Sequence, residues 1–394
     1  MSFDYDVAIV GAGPIGSTLA YQLSEENLKV CLIDKKKTVG LPLQCAGIIN
    51  KRIASNNDLP EELILNKAYG ANIFSRNHSM TVSKKEVQAY IIDRVAFDQY
   101  LFKKACDNGV DAHLACKVDH IDSSTGQISF SCSGEQKEIK SRIIVGADGP
   151  LSLVSSSIGN DSNYYNATQY LVKVEEIEDM GLVNLHTRGF LFPGFIWVIP
   201  VYKNIFRVGL FTSGDSKEQN KILDDFLESD FGYDDYEVLE KYKGRIPVHD
   251  KNKKLFKDRA IIIGDAAAQV KPTTGGGILL GSQAVPMASK AICNALKNDD
   301  LTLLSDYQKE FEDRFSSEFS YQLKVQKTLS TLSDDDIDFM ILKLIEKDGE
   351  KLISEYGDMD NQSVLVKEMI KRGLIFSLLP AIHKKELAKI WLLD

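Results

Sequence analysis

One stretch near the start, Tyr5-Asp-Val-Ala-Ile-Val-Gly-Ala-Gly-Pro-Ile-Gly16, restricts the possible fold more than any other. Val7 to Val10 is an unbroken apolar run, the pattern of a short strand buried on both faces. Gly11, Gly13 and Gly16 follow at G-x-G-x-x-G spacing, and Ser17 to Leu23 continues with helical composition. Gly11 permits a tight turn, Gly13 lets backbone approach a pyrophosphate, and Gly16 lets the helix pack close to the strand. The helix N-terminus offers free N–H groups and a positive dipole end to the phosphates. A second strand, Lys29 to Asp34, ends in a carboxylate 18 residues after Gly16. That acid is placed to accept both hydroxyls of an adenosine ribose. A chance Gly-rich turn would lack the strand, helix, strand and acid that follow in this order.

Two later stretches repeat the design. Arg142-Ile-Ile-Val-Gly-Ala-Asp-Gly149 and Ala260-Ile-Ile-Ile-Gly-Asp-Ala-Ala267 each read as a buried strand ending in small residues and an acid. Ligands of open α/β sheets sit at such strand ends. Pro272-Thr-Thr-Gly-Gly-Gly-Ile278 then leads into a helix over Leu279–Leu296. Three glycines let backbone press on a ligand, and the helix dipole favours negative charge there, as on a reduced isoalloxazine. NAD needs only the first fingerprint; the full set points to FAD.

Composition limits the rest. At 394 residues, 44% apolar and 26% charged, the chain has the make-up of a soluble protein of two or three domains. A net charge of −9 without a basic cluster argues against nucleic-acid binding. No stretch approaches a membrane span, and no signal peptide is expected before the first strand. Cysteines 31, 45, 106, 116, 132 and 293 form no C-x-x-C pair. Neither a metal site nor a disulfide is therefore expected, and a cytoplasmic location fits.

Several segments leave two readings open. Gly40-Leu-Pro-Leu-Gln-Cys-Ala-Gly47 is a loop just past the ribose strand. Its Cys45 is either a small buried thiol or a group lying against a planar ligand. Tyr90–Leu101 reads as helix with Asp93 as N-cap and Phe97, Leu101 and Phe102 on its apolar face. Arg94, in the first turn, is either a ligand contact or a solvated side chain. Val110–Val118 reads as a strand whose end, near Val118, would present backbone to an adenine. Phe190, Phe192, Phe195 and Trp197 read as an aromatic strand edge, either core or the wall of a pocket. Gly70–Phe74 and Met80–Ser83 should pair and join a second sheet, with Gln169–Val174, Gly194–Pro200 and Arg207–Phe211. Beyond Leu301 the chain reads as helical. Ser333 should cap a helix with Ile337, Met340, Ile341, Leu344 and Ile345 on one face. Leu374–Ile382 with Lys384, Lys385, Lys389 and Trp391 is either a docked helix or a membrane-surface contact.

Gly11-x-Gly-x-x-Gly16, Gly146-Ala-Asp-Gly149 and Gly264-Asp-Ala-Ala267 resemble the three FAD motifs of the para-hydroxybenzoate hydroxylase-like flavoproteins. Within them, Pro42-x-x-Cys45-x-Gly47, Pro272-x-Thr-Gly-Gly-Gly-Ile278 and Leu332-Ser-Asp-Asp335 make the chain most similar to archaeal geranylgeranyl reductases. The family's Pro, Tyr, Trp, Phe, Pro motif is altered here: Phe195 replaces the tyrosine, Ile199 the phenylalanine, and the leading proline shifts to Pro193. The altered stretch also approaches the Trp-x-Trp-x-Ile-Pro signature of flavin-dependent halogenases, without its first tryptophan.

The resemblance implies an α/β fold with a Rossmann-type FAD domain (1–67, 91–160, 256–300). An inserted antiparallel-sheet substrate domain (68–90, 161–255) and a C-terminal helical region (301–394) complete it. Cofactor contacts are implied at Gly11, Gly13, Pro14, Gly16, Asp34, Cys45, Ala46, Gly47, Arg94, Val118, Asp265, Gly277 and Ile278. Cys45, Phe195 and Trp197 are the implied catalytic positions. The implied activity is saturation of geranylgeranyl double bonds in archaeal-type lipids. No second dinucleotide fingerprint exists, and Ser155 stands where the hydroxylases carry an arginine, so a ferredoxin or a reduced deazaflavin is the implied electron donor. A monooxygenase or halogenase using oxygen is the rival enzyme, and a non-catalytic flavin carrier the rival of another class.

Overall fold

In a computed structural model, residues 2–57 and 59–378 are described. The first sheet is eight-stranded, and its centre is parallel: Ala260–Ile262, Glu135–Gly146, Tyr5–Val10, Val30–Ile33 and Asp111–His113, in that spatial order. Val7 pairs with Ile143 on one side and Val30 on the other. Residues 7–9, 31–33 and 143–145 are fully buried, because helices cover a parallel sheet on both faces. The helices Pro14–Glu25 and Ile278–Asn298 pack together beside the sheet.

The second sheet has seven strands: Glu237–Pro247, Tyr164–Lys173, Ile205–Thr212, Ile196–Tyr202, Leu182–His186, Gly70–Phe74 and Ser79–Ser83. Its pairs are antiparallel except where Gly70–Phe74 lies parallel to Leu182–His186. The strand alternation sorts its residues onto two faces. Ile196, Val198, Phe206, Val208 and Leu210 pack under the helix Ser216–Ser229. Trp197, Ile199, Val201 and Phe211 point the other way. A three-stranded sheet, Ile48–Asn50, Ala89–Ile92 and Ile64–Ala68, stands apart from these two. The helices Ser305–Leu329, Asp334–Glu346, Gly349–Tyr356 and Ser363–Lys371 follow.

Several sequence expectations need correction. Tyr90–Ile92 is strand, and the helix begins only at Arg94, after the Asp93 cap that accepts from the N–H groups of Val95 and Ala96. Val110–Val118 is not one strand. Ala115, with φ of 54°, breaks it into Asp111–His113 and Cys116–Asp122. Cys116 and Cys132 are bonded as a disulfide, because the hairpin register sets them directly opposite each other. A 16-residue separation gives no hint of that register in the sequence. Ser333 does form a capping box, but Ile345 is exposed rather than on the buried face. The strand Leu182–His186, the edge strand Glu237–Pro247 and the helix Ser216–Ser229 were not anticipated. The basic C-terminal segment 384–391 lies outside the described residues.

Candidate functional site

A single cavity of about 1360 Å³ runs from the glycine turn at Gly11 and Gly13 to the C-terminal helices. A pocket for one small ligand occupies roughly 300–1,000 Å³, so this one has room for two.

At the dinucleotide end, Gly11 has φ of +108°, and a Cβ there would stand 2.2 Å from the Ala147 carbonyl oxygen. Gly16 is equally constrained, 2.0 Å from the oxygen of Gly11. Gly13 is different: no protein atom lies within 4 Å of its missing Cβ, so its open side belongs to the cavity. The helix begins at Pro14 without a side-chain cap, which leaves first-turn N–H groups for an anion. Asp34 accepts from the Ala12 N–H at 2.7 Å and the Lys36 N–H at 2.8 Å. Each carboxylate oxygen keeps a second lone pair for a ribose hydroxyl. Val118 lines the same end, next to the Cys116–Cys132 disulfide. These features fit the pyrophosphate, ribose and adenine of FAD.

The middle of the cavity is framed by two loops. In the first, the carbonyl of Cys45 accepts from Gln169 Nε2 at 3.4 Å, and that of Ala46 from Arg207 Nη1 at 2.9 Å. The Gly47 N–H donates to Cys45 Sγ at 3.4 Å, and Cys45 lines the cavity. Arg94 also lines it, within reach of a ligand, and is not solvated. Its side chain is 10% exposed and is bonded to both oxygens of Asp98, at 2.7 and 2.8 Å.

In the second loop, Gly277 precedes the helix that starts at Ile278, again without a side-chain cap. A Cβ on Gly277 would meet Asp265 Oδ1 at 3.0 Å, so glycine lets the loop lie over the acid. The Asp265 carboxylate opens into the cavity, yet the surrounding protein is dense. Burial pushes its pKa up to about 6, with Arg94 pulling the other way. Solvent entering the cavity screens part of that shift. Burial likewise raises Asp148, opposed by its bonds from Ser152 and the Leu153 N–H.

Beyond the loops the lining becomes apolar. Trp197 Nε1 donates to Gln169 Oε1 at 3.0 Å across Gly209, which pairs with both residues. A Cβ on Gly209 would stand 2.6 Å from the indole, so only glycine leaves room for that bond. Phe195 meets Trp197 edge to face, with ring centroids 6.2 Å apart. The four aromatics do not form one strand edge. Phe195 and Trp197 line the cavity, Phe192 packs on the C-terminal helices, and Phe190 is exposed on a 3₁₀ turn. Met340, Ile353, Leu365 and Met369 of the C-terminal helices line the same cavity.

Sequence reading places Met340 only on a helix's apolar face and Gln169 and Arg207 only in strands, and it assigns no site role to these or to Ile353, Leu365 and Met369. It also missed Lys271, whose ammonium crosses Gly276 to bond Asp360 at 2.8 Å and the Met359 carbonyl at 3.1 Å. A lone arginine inside the apolar run Ile205–Thr212 was the one available signal. Among the described residues no cluster of side chains could hold a metal ion, and no helix is long and apolar enough to cross a membrane.

The geometry defines a dinucleotide-binding flavoprotein with a second, apolar compartment. A family model, the FAD binding domain, matches residues 4–317. The digeranylgeranylglycerophospholipid reductase 1 of Methanothermobacter thermautotrophicus is 30% identical over 95% of this chain and 99% of its own. The one of Methanococcoides burtonii is 28% identical over 89% of this chain and 90% of its own. A geranylgeranyl bacteriochlorophyll reductase-like structure from Thermoplasma acidophilum superposes with a TM-score of 0.83 at 22% identity, covering 98% of this chain and 99% of that one. A flavin-dependent brominase shares the fold at a TM-score of 0.69 and 15% identity, over 94% and 99%. The chain belongs to the digeranylgeranylglycerophospholipid reductase family of FAD-binding proteins. FAD is its cofactor.

Proposed function

We propose that this protein saturates isoprenoid double bonds in the geranylgeranyl chains of archaeal-type membrane lipids or their precursors. The observation that carries the reading is the continuity of one cavity from the dinucleotide turn to an apolar compartment. Reduced FAD, when bound, supplies a hydride to one alkene carbon. Gly11, Gly13, Pro14 and Gly16 would hold its pyrophosphate, Asp34 its ribose and Val118 its adenine. Ala46, Gly47, Asp265, Gly277 and Ile278 would frame its ring, with Arg94 behind. Phe195, Trp197 and the C-terminal helices exclude water from the hydrocarbon and hold the double bond in place, which an unactivated alkene requires. Cys45 Sγ–H is the proposed source of the proton for the other carbon. The proposed electron donor is a ferredoxin or a reduced deazaflavin.

The test is direct. Protein reconstituted with FAD and reduced with dithionite is given a digeranylgeranyl glycerophospholipid without oxygen. Mass spectrometry should find two hydrogens gained per saturated bond, and FMN should not substitute for FAD. A lipid recovered unchanged from fully reduced holoprotein refutes the reading.

A further inference from the structure

Arg207 stands in the middle of the strand Ile205–Thr212 and is 5% exposed. It does not line the cavity; the turn Cys45–Gly47 lies between. Its Nη1 donates to the carbonyls of Ala46, at 2.9 Å, and Ile92, at 3.2 Å. Its Nε has no partner, and among the described residues Arg207 forms no ion pair. The contact with the turn is close. Gly47 has φ of +69°, and a Cβ there would stand 2.1 Å from Nη1.

Two backbone carbonyls do not require a charge. A neutral amide could donate to them, and a buried cation with no carboxylate is among the least favourable groups a core can hold. Burial accordingly pulls its pKa below that of a free guanidinium, with Cys45 and Asp93 acting in the opposite sense. Arg94, on the cavity side of the same turn, is neutralised by Asp98. Arg207, directly behind the turn, has no such ion pair among the described residues, only the longer-range pull of Asp93.

We propose that Arg207 is a positioning residue for the family's cofactor: it fixes the turn Cys45–Gly47 and supplies, from behind it, positive charge that favours the reduced, anionic FAD. The missing counter-ion is then a charge that exists only in one redox state. Arg207 raises the reduction potential of bound FAD. This rests on FAD binding and not on the lipid reading, and no lipid enters its test.

The reduction potential and the dissociation constants of oxidised and reduced FAD are measured for wild type, Arg207→Gln, Arg207→Met and Arg207→Lys. The neutral variants should bind reduced FAD at least about tenfold more weakly relative to oxidised FAD, a fall of about 30 mV for a two-electron couple. Arg207→Lys should hold the wild-type potential. An unchanged potential in Arg207→Gln, which keeps donors for both carbonyls, overturns the proposal. Equal weakening of both redox states overturns it too, since a purely structural role gives that result. Should neither neutral variant fold or hold FAD, Arg207→Lys decides: a wild-type potential supports the proposal, and a lowered one overturns it.

Discussion

The two ends of the cavity are built by opposite means. At the dinucleotide end, backbone does the work. Gly11 and Gly16 stand within 2.2 Å of carbonyl oxygens wherever a Cβ would be, and the strands around them are buried on both faces. At the hydrocarbon end, side chains from segments far apart in sequence meet. Trp197, Gln169 and Gly209 come from three strands, and Met340, Leu365 and Met369 from helices more than a hundred residues later. A phosphate needs fixed N–H groups, which only a particular backbone path supplies. A hydrocarbon needs only shape and the absence of water, which many side-chain combinations give. The first end should tolerate few changes at Gly11 and Gly16, whereas the second constrains overall shape more than individual residues.

Glycine substitutions test this contrast most severely. Gly11→Ala should abolish stable holoprotein, since its methyl meets backbone at a positive φ, a strain on the order of 3 kcal/mol before the clash itself. Gly13→Ala should fold normally, because its methyl enters open space, yet lose FAD. Thermal melting of each apoprotein and flavin content after reconstitution separate the two. A Gly13→Ala protein that binds FAD normally would remove the pyrophosphate from that turn.

Next comes the buried pair at the junction. Lys271 and Asp360 are 7% and 9% exposed, and they tie the glycine loop to the segment before the helix Ser363–Lys371. Lys271→Met strands a buried carboxylate and should lose about 3–5 kcal/mol, while Lys271→Met with Asp360→Leu should recover most of it. Denaturant melts decide. A double variant no better than the single would mean that packing around the lysine stem matters more than charge.

Cys45→Ser should be gentler on the fold and selective for the hydrocarbon end. FAD stays bound, and lipid turnover falls on the order of a hundredfold if the thiol delivers the proton. Wild-type turnover and product pattern would reduce Cys45 to packing.

The same asymmetry explains what the sequence discloses. The glycine spacings, Asp34 and the Asp93 and Ser333 caps are local, set by a few consecutive residues; the structure forms both caps and sets Asp34 against the Ala12 N–H of the glycine turn. Cys116 opposite Cys132, and Gln169 opposite Trp197 across Gly209, depend on strand register, which spacing does not reveal. The Arg94–Asp98 pair was not legible for a related reason: Asp98 lies one helical turn on in the sequence, but nothing local says that the pair is shielded from solvent. Lys271 and Asp360 are 89 residues apart and look like ordinary surface charges until the C-terminal helices fold over the loop.

The smallest effect concerns Asp265, where the two ends meet. Its pKa in the folded apoprotein is raised to about 6 from an ordinary 3.8, so the folded state holds the proton more tightly than the unfolded one. Its contribution to stability is therefore complete below about pH 4 and is lost as pH rises through about 6. His186 runs the opposite way. Burial lowers it to about 4, so stability tied to that ring grows as pH rises over a similar range. The net slope of the wild type mixes both, and only a difference isolates the acid. Asp265→Asn should melt relatively higher than wild-type apoprotein above pH 6, with the gap closing towards pH 4. Water in the cavity screens the effect, so the gap should be modest. A gap independent of pH would show that Asp265 is ionised throughout and that its carboxylate is already solvated at the cavity floor.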